Sequence, residues 1–260
     1  VWKLRRTPGM STSIPAASRW KSDKVPARSL RGRMRIHSVA MRASLFAAGP
    51  KPTCPELPMT EKTIPHPEDS YGIAKLAVEQ ELACSKEIFG LDYVIFRPHN
   101  VYGERQNIGD KYRNVVGIFM NQVMQGQPMT IFGDGLQTRA FSYIDDVAPD
   151  IAHSAELPAA YGQVFNIGAD QPYAVKHLAE VVARAFGQEP CIRFLPPRNE
   201  VVHAFSDHSK ARGVFGERPA TGLEDGVARM AAWARRAGAR KSRKFEDLEV
   251  TLNLPPSWRD

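Results

Sequence analysis

Two side chains four residues apart, Tyr71 and Lys75, have the types and spacing for acid–base chemistry. On a helix that spacing puts both on one face, one turn apart. A phenol is a poor base near neutral pH. An ammonium beside it favours the phenolate by charge attraction, so that the pair can exchange a proton with a substrate hydroxyl. The same spacing also arises by chance, as a surface lysine next to a half-buried tyrosine. Other catalytic devices are poorly represented. The three cysteines (Cys54, Cys84, Cys191) are odd in number and far apart. They exclude a disulfide scaffold and a paired-cysteine zinc site, and they fit a reducing compartment, read as cytoplasmic. The seven histidines show no metal-ligand spacing, and no metal is expected.

The elements that must position the pair are those of an α/β protein. Asp69 or Ser70 can cap a helix that begins near Tyr71, carries Ile73, Leu76, Ala77, Leu82 and Ala83 on its apolar side and stops at Gly90. Cys84 on this helix reads as a small core residue. The β-rich run Tyr93–Phe96 follows, closed by Arg97-Pro98. A helix is expected over Val115–Met124, a strand over Met129–Phe132, a turn at Gly133-Asp134-Gly135, and a strand over Phe141–Ile144. Asp145 and Asp146 are placed to cap a helix through Ala152. A strand at Val164–Ile167, a helix over Val175–Phe186 and a last amphipathic helix over Leu223–Ala237 complete the pattern. Helix followed by apolar strand is half of a parallel α/β unit.

Charge is unevenly distributed. Residues 1–50 hold eleven Lys/Arg and one acid, Asp23, whereas the other 210 residues hold 24 basic and 27 acidic side chains. The net charge of +7 therefore says little about a nucleic-acid surface on the folded body. Residues 1–43 show no convincing period and are expected to be poorly ordered. They lack the apolar centre of a secretory signal. Their Arg/Ser content suits a transit peptide, but Pro8, Pro15 and Pro26 oppose its helix; a phosphate-binding arm lacks aromatic interleaving beyond Trp2 and Trp20. No apolar run is long enough for a membrane helix, and neither membrane nor nucleic acid is expected as a partner. Residues 241–260 read as a tail.

Around the pair stands an ordered set of motifs. Pro67-x-x-Ser70-Tyr71-Gly72-x-x-Lys75 is followed by Glu79 and by Phe96-Arg97-Pro98-His99-Asn100-Val101-Tyr102-Gly103. Then come Ile131-Phe132-Gly133-Asp134-Gly135-x-x-Thr138-Arg139-x-Phe141-x-Tyr143-Ile144-Asp145-Asp146-Val147 and Phe165-Asn166-Ile167-Gly168. From about Pro55 to Arg236 this resembles the extended short-chain dehydrogenase/reductases, and within them the NAD-dependent nucleotide-sugar epimerases and dehydratases. The resemblance implies a Rossmann-like parallel sheet with a smaller mixed α/β substrate-binding domain, occupying residues 44–240. It implies NAD as cofactor, a nucleotide sugar (a UDP-hexose) as substrate, epimerisation through a transient 4-keto sugar, and homodimer formation through the helix that bears Tyr71.

Residue by residue, the resemblance makes Tyr71 the acid/base and Lys75 the holder of the nicotinamide ribose, with Pro98 beside the nicotinamide. Asn100 would bind the diphosphate or sugar. Val115 and Val116 would lie near the nucleotide, and Thr130 and Phe132 by the base. Arg139 and Arg198 would pair with the diphosphate, a bidentate task suited to guanidinium, and Phe205 would lie near the sugar. Each has a plainer use: Phe132 and Phe205 as core aromatics, Arg139 as an ion-pair partner, Arg198 as a solvated loop residue, Asn100 as a turn cap, His99 as packing.

Two departures qualify the resemblance. A dinucleotide site uses a Gly-rich turn between a first strand and helix. Only Gly9, Gly32 and Gly49 precede Tyr71, none in such a turn, so the sheet is expected to be a partial, N-terminally truncated one. The hydroxyl that the family places before the tyrosine helix falls on Ser44, in Ala43–Gly49. Where the dehydratases have an Asp-Glu pair this chain has Leu45 and Phe46, which favours epimerisation over dehydration. A non-catalytic sugar-nucleotide binder is the alternative function, and another dehydrogenase-type activity (dehydratase or reductase) a further one.

Overall fold

The computed structural model describes residues 35–38 (backbone), 57–67, 70–110, 114–197 and 201–241. In chain order the elements are β1 (Arg35–Ser38), α1 (Ser70–Phe89), β2 (Tyr93–Pro98), β3 (Val101–Tyr102), α2 (Val115–Met124), β4 (Met129–Phe132), β5 (Thr138–Ala140), β6 (Ser142–Tyr143) and α3 (Ile144–His153). They continue with β7 (Gln163–Ile167), β8 (Pro172–Ala174), α4 (Val175–Ala185), β9 (Ile192–Leu195), β10 (His203–Ala204), α5 (Ser209–Phe215) and α6 (Leu223–Ala237).

Strand β2 is the axis of the first layer. Its six residues are all buried, as expected for a parallel strand covered on both faces. It pairs in parallel with β1 on one side and β7 on the other. Val94 and Phe96 face a cluster with Phe165, Ile167, Val147, Ala211 and Phe215 that joins the sheet to α3 and α5. Tyr93 and Ile95 face Leu82 of α1. Alternation of side chains along the strand thus places helices on opposite faces of one parallel sheet, the doubly wound arrangement. Phe96, Phe165 and Phe215 form a triangle of rings with centroids 5.0–5.9 Å apart, within the favourable range for tilted and edge contacts.

A second core gathers α2, α4 and α6 around β4, with Phe119, Met120, Leu178, Val182, Val227 and Met230 buried. Helix α2 starts at Asn114, whose side chain accepts the Val116 N–H at 3.2 Å and whose amide donates to the Val101 carbonyl. The side chain satisfies an otherwise orphaned donor and ties the helix to β3. Small sheets frame this core: β4 with β9, β3 with β6, and β5 between β8 and β10. No helix among the described residues is long and apolar enough to cross a membrane.

Several expectations need correction. β1, at Arg35–Ser38, falls within residues 1–43, the stretch that shows no convincing period; four residues suffice when β2 supplies the pairing partner. The strand expected over Phe141–Ile144 is only the two-residue β6, with β5 a separate strand before it at Thr138–Ala140, and α3 already begins at Ile144, so Asp145 and Asp146 stand in its first turn and cap nothing. Asp146 instead accepts from the Thr221 N–H and hydroxyl, each at 2.9 Å. The largest revision concerns α1. Ile73 and Ile88 are 55% and 64% exposed, Ala77, Ala83 and Cys84 are also exposed, and the buried residues are Gly72, Glu79, Leu82 and Ser85. The helix is turned so that a carboxylate faces inward.

Phe96→Ala would remove one of the three rings of the triangle. We expect a loss of about 3–5 kcal/mol in urea unfolding; a loss below about 1 kcal/mol would mean that the triangle does not hold the sheet to α5.

Candidate active site

The reason for the rotation of α1 lies on β2. Arg97 is the one charged residue in an apolar strand, and its side chain points to the α1 face. It meets Glu79 through two hydrogen bonds, Nε to Oε1 at 2.9 Å and Nη2 to Oε2 at 2.6 Å. Arg97 and Glu79 are 4% and 8% exposed. Two charges removed from water need this bidentate geometry. Glu79 follows Lys75 by four residues and Tyr71 by eight, so the same helical face carries all three. The bridge therefore fixes which way Tyr71 and Lys75 point. Lys75 Nζ lies 5.4 Å from the centroid of the Tyr71 ring, and the tyrosine is 37% exposed, hence accessible to a ligand.

Next to Arg97, at the carboxyl end of β2, come Pro98, His99 and Asn100. Asn100 has a positive φ of 34°, an uncommon conformation that asparagine tolerates better than most residues. Its amide donates to the Ala140 carbonyl at 3.1 Å, and its carbonyl accepts the Ser142 N–H at 3.4 Å. These bonds lock the turn against β5 and β6. In open α/β sheets ligands bind in the crevice outside the carboxyl ends of the strands, which is where this turn lies. The segment before α1 is anchored here as well. The Met59 carbonyl accepts from Asp207 N–H at 2.9 Å and from the Asn166 amide at 3.1 Å, while Glu61 accepts the Asn166 N–H at 2.8 Å.

His99 is buried beside His208. Burial, with His208 as a second cause, pushes its pKa from 6.5 down to about 3, so the ring is neutral. Asp170 accepts from His208 at 2.7 Å and from Arg212 at 2.8 Å. Burial alone would raise the Asp170 pKa; the two donors outweigh it and hold the carboxyl below its ordinary range.

A second group of the expected site residues is assembled from β5, β10 and the chain around them. Arg139 is 8% exposed. Its guanidinium donates to the carbonyls of Thr138 (2.8 Å), Val202 (2.9 Å) and Val201 (2.5 Å). It therefore clamps the segment that follows Arg198 instead of standing clear as a ligand arm. β10 pairs with β5, His203 opposite Thr138 and Ala204 opposite Arg139. Phe205, half-buried, comes directly after β10. Arg139, Phe205 and Asn100 are thus brought together through Ala140 and the β5–β10 pair. Arg198 and Ser44 lie outside the described residues.

Other expected contacts are more distant in role. Val116 is wholly buried in the second core and its N–H is taken by Asn114, which leaves Val115, half-buried, as the outer residue of the two. Thr130 exchanges two hydrogen bonds with the Gln122 side chain, at 2.9 and 3.1 Å. Phe132 is half-buried and its carbonyl holds Gln137 at 2.9 Å. Sequence reasoning noted Glu79 and Arg97 only as motif members and gave no role to His208 or Asp170. A lone arginine in an apolar strand, and a glutamate at the next helical position after Tyr71 and Lys75, were the available signals for the bridge. Nothing local marks the histidine pair.

The model of the NAD dependent epimerase/dehydratase family matches residues 36–168, half of the chain. The chain belongs to this family. Among its relatives is the UDP-glucose 4-epimerase of Mycolicibacterium smegmatis, 33% identical over 70% of this chain and 58% of that protein. Among solved structures, the UDP-glucose 4-epimerase of Thermotoga maritima with UDP-glucose is 31% identical, with a TM-score of 0.68 over 78% of this chain and 63% of its own. The UDP-glucuronic acid 4-epimerase of Bacillus cereus, in complex with UDP-glucuronic acid and NAD, is 26% identical, with a TM-score of 0.68 over 78% of this chain and 61% of its own. The chain spans somewhat more than half the length of the curated relatives it matches, 57% and 58%.

Two outcomes follow from the family member's buried charges. Arg97→Leu leaves the Glu79 carboxylate buried without its partner and should cost about 3–5 kcal/mol in urea unfolding; Glu79→Met combined with Arg97→Leu should recover most of it. Equal losses in the single and double variants would contradict the bridge. His99 takes up no proton in the folded state until about pH 3, whereas the unfolded chain does so near 6.5. Its contribution is therefore fully present above that value and is lost as pH falls through this window, at up to ~1.4 kcal/mol per pH unit. His99→Phe should lessen that slope; an unchanged slope would place the proton uptake elsewhere.

Proposed function

We propose that this chain carries the proton-transfer and sugar-binding side of an NAD-dependent nucleotide-sugar epimerase, acting on a UDP-hexose at C4. The observation that carries the reading is the single helical face Tyr71–Lys75–Glu79, locked by Arg97 to the strand end that presents Pro98 and Asn100. The described residues suit the nicotinamide end of NAD: Tyr71 and Lys75 from α1 and Pro98 from β2, with Lys75 to hold the ribose. When bound, NAD would accept a hydride from C4 of the sugar and return it to the opposite face of the 4-keto sugar.

The chain's own residues do the rest. Tyr71, with the Lys75 ammonium against its ring, takes the proton of the sugar hydroxyl and gives it back. Asn100 holds the sugar or the diphosphate. Arg139 serves the diphosphate by fixing the segment after Arg198, and Phe205 lies at the sugar. Phe132, Thr130 and Val115 are assigned to the nucleotide. Lys75 also contributes a positive charge to an anionic ligand. The exposed apolar side chains of α1, Ile73 and Ile88, suit pairing with a second copy, as the family resemblance implies.

A second reading is favoured by one observation, the lack of a Gly-rich turn among residues 1–70. On that reading these 260 residues bind a nucleotide sugar without turnover. Titration calorimetry and a UDP-glucose/UDP-galactose assay separate the two. The enzyme reading expects NAD binding and interconversion that Tyr71→Phe lowers by at least about a hundredfold, since general acid–base catalysis contributes ~10²–10⁴-fold. Sugar-nucleotide binding without NAD binding selects the second reading. Failure of the chain to bind either ligand would refute both.

A further inference from the structure

A connected set of side chains runs from the surface to the turn at Asn100. At the outer end, Arg212 donates to Asp170 Oδ2 at 2.8 Å, and Asp170 is 62% exposed. The other carboxylate oxygen lies 2.7 Å from His208 Nδ1. An ionised carboxylate only accepts, so Nδ1 carries the proton. His208 is 3% exposed, and its ring stands edge-on to that of His99, 5.8 Å between centroids at 73°. His99, equally buried, is the residue before Asn100, and its N–H reaches the Ile167 carbonyl at 3.4 Å.

A parallel route leads to the same turn. Gly168, with φ of 147°, has its bare Cα against Ser142; a Cβ there would overlap Ser142 Oγ and come within 3.7 Å of His208 Nε2. Ser142 Oγ accepts the Ala169 N–H at 2.9 Å, and the Ser142 N–H donates to the Asn100 carbonyl. The His208 ring thus packs edge-on to the residue before Asn100, and the bare Cα of Gly168 lies near both His208 and Ser142; the left-handed backbone of Asn100 has to be held by its surroundings.

We propose that Asp170, His208 and His99 form a positioning chain for Asn100: Asp170 orients His208, and His208 buttresses His99 and thereby the turn that presents the Asn100 amide. This rests on the reading of Asn100 as a substrate contact. None of the three needs to touch substrate. A side chain held by neighbours whose own orientations are locked is how a binding geometry is kept to fractions of an ångström.

The test uses the ¹⁵N-labelled chain. Exchange of the Asn100 side-chain amide protons with water reports the bond to Ala140, and calorimetry with UDP-glucose reports binding. Asp170→Ala and His208→Gln should each raise the exchange rate about tenfold and weaken UDP-glucose binding by a similar factor, the loss of one ordinary hydrogen bond. Asp170→Asn, which still accepts from Nδ1, should restore both. Asp170 is exposed, so Asp170→Ala carries the test even where His208→Gln does not fold. Unchanged Asn100 exchange in Asp170→Ala, with only a lowered unfolding midpoint, overturns the proposal. If the unaltered chain does not bind UDP-glucose, the substrate reading of Asn100 fails, and the exchange rates alone decide whether the positioning chain exists.

Discussion

A guanidinium on β2 and a carboxylate on α1 are enclosed together in the interior, and neither can stay there without the other. Burial of apolar surface is tolerant of small rotations, because one methyl group replaces another at little cost. A bidentate ion pair is not tolerant: its two short bonds specify the rotation of α1 about its axis and the position of the helix along the strand. Once Glu79 is set, Tyr71 and Lys75 follow, since the helix is continuous from Ser70 to Phe89. Once Arg97 is set, so is the strand end from which Pro98 and Asn100 emerge. A purely apolar contact would have held the helix to the sheet without aiming it.

The consequence is visible in what α1 leaves outside. Ile73 and Ile88 face outward although burial would favour them, and the inward stripe includes a glutamate and a serine. The bridge outweighs the hydrophobic pattern because turning α1 to bury the isoleucines would leave the Arg97 guanidinium in the interior without its partner, which costs more than an exposed isoleucine. At the sheet's carboxyl end the polar groups are similarly interlocked. Asn100, Ser142, Asn166 and Met59 exchange bonds between β2, β6, β7 and the segment before α1. Arg139 ties β5 to the chain beyond it. These polar groups therefore hold positions that depend on one another.

The sequence made the long elements plain, and for identifiable reasons. α2, α4 and α6 have regular apolar periods and glycine stops, and their observed limits agree with expectation to within a residue. β2 was evident from its unbroken apolar run. The two- and three-residue strands β3, β8 and β10 were not, because such segments have no period and exist only through their partners. α1 was found but misoriented, since a period of apolar residues gives a helix two candidate faces and the deciding bridge is with a residue 18 positions away. The Tyr71–Lys75 pair was readable because both partners lie on one helix. The outermost members of the Asp170–His208–His99 set are 109 positions apart in sequence, and the set meets only in three dimensions. Arg139 was recognised, but a residue type cannot say whether a guanidinium holds a ligand or its own backbone.

The central claim is that the Arg97–Glu79 bridge aims a tyrosine at a sugar held at the end of β2. A crystal structure of the chain with UDP-glucose tests it most directly. The account predicts the 4-hydroxyl within hydrogen-bond reach of Tyr71 Oη, about 2.6–3.2 Å, with the sugar next to Asn100 and the diphosphate toward the β5–β10 pair. A sugar seated elsewhere, or a Tyr71 side chain turned away from it while the Arg97–Glu79 bridge is intact, would contradict the account.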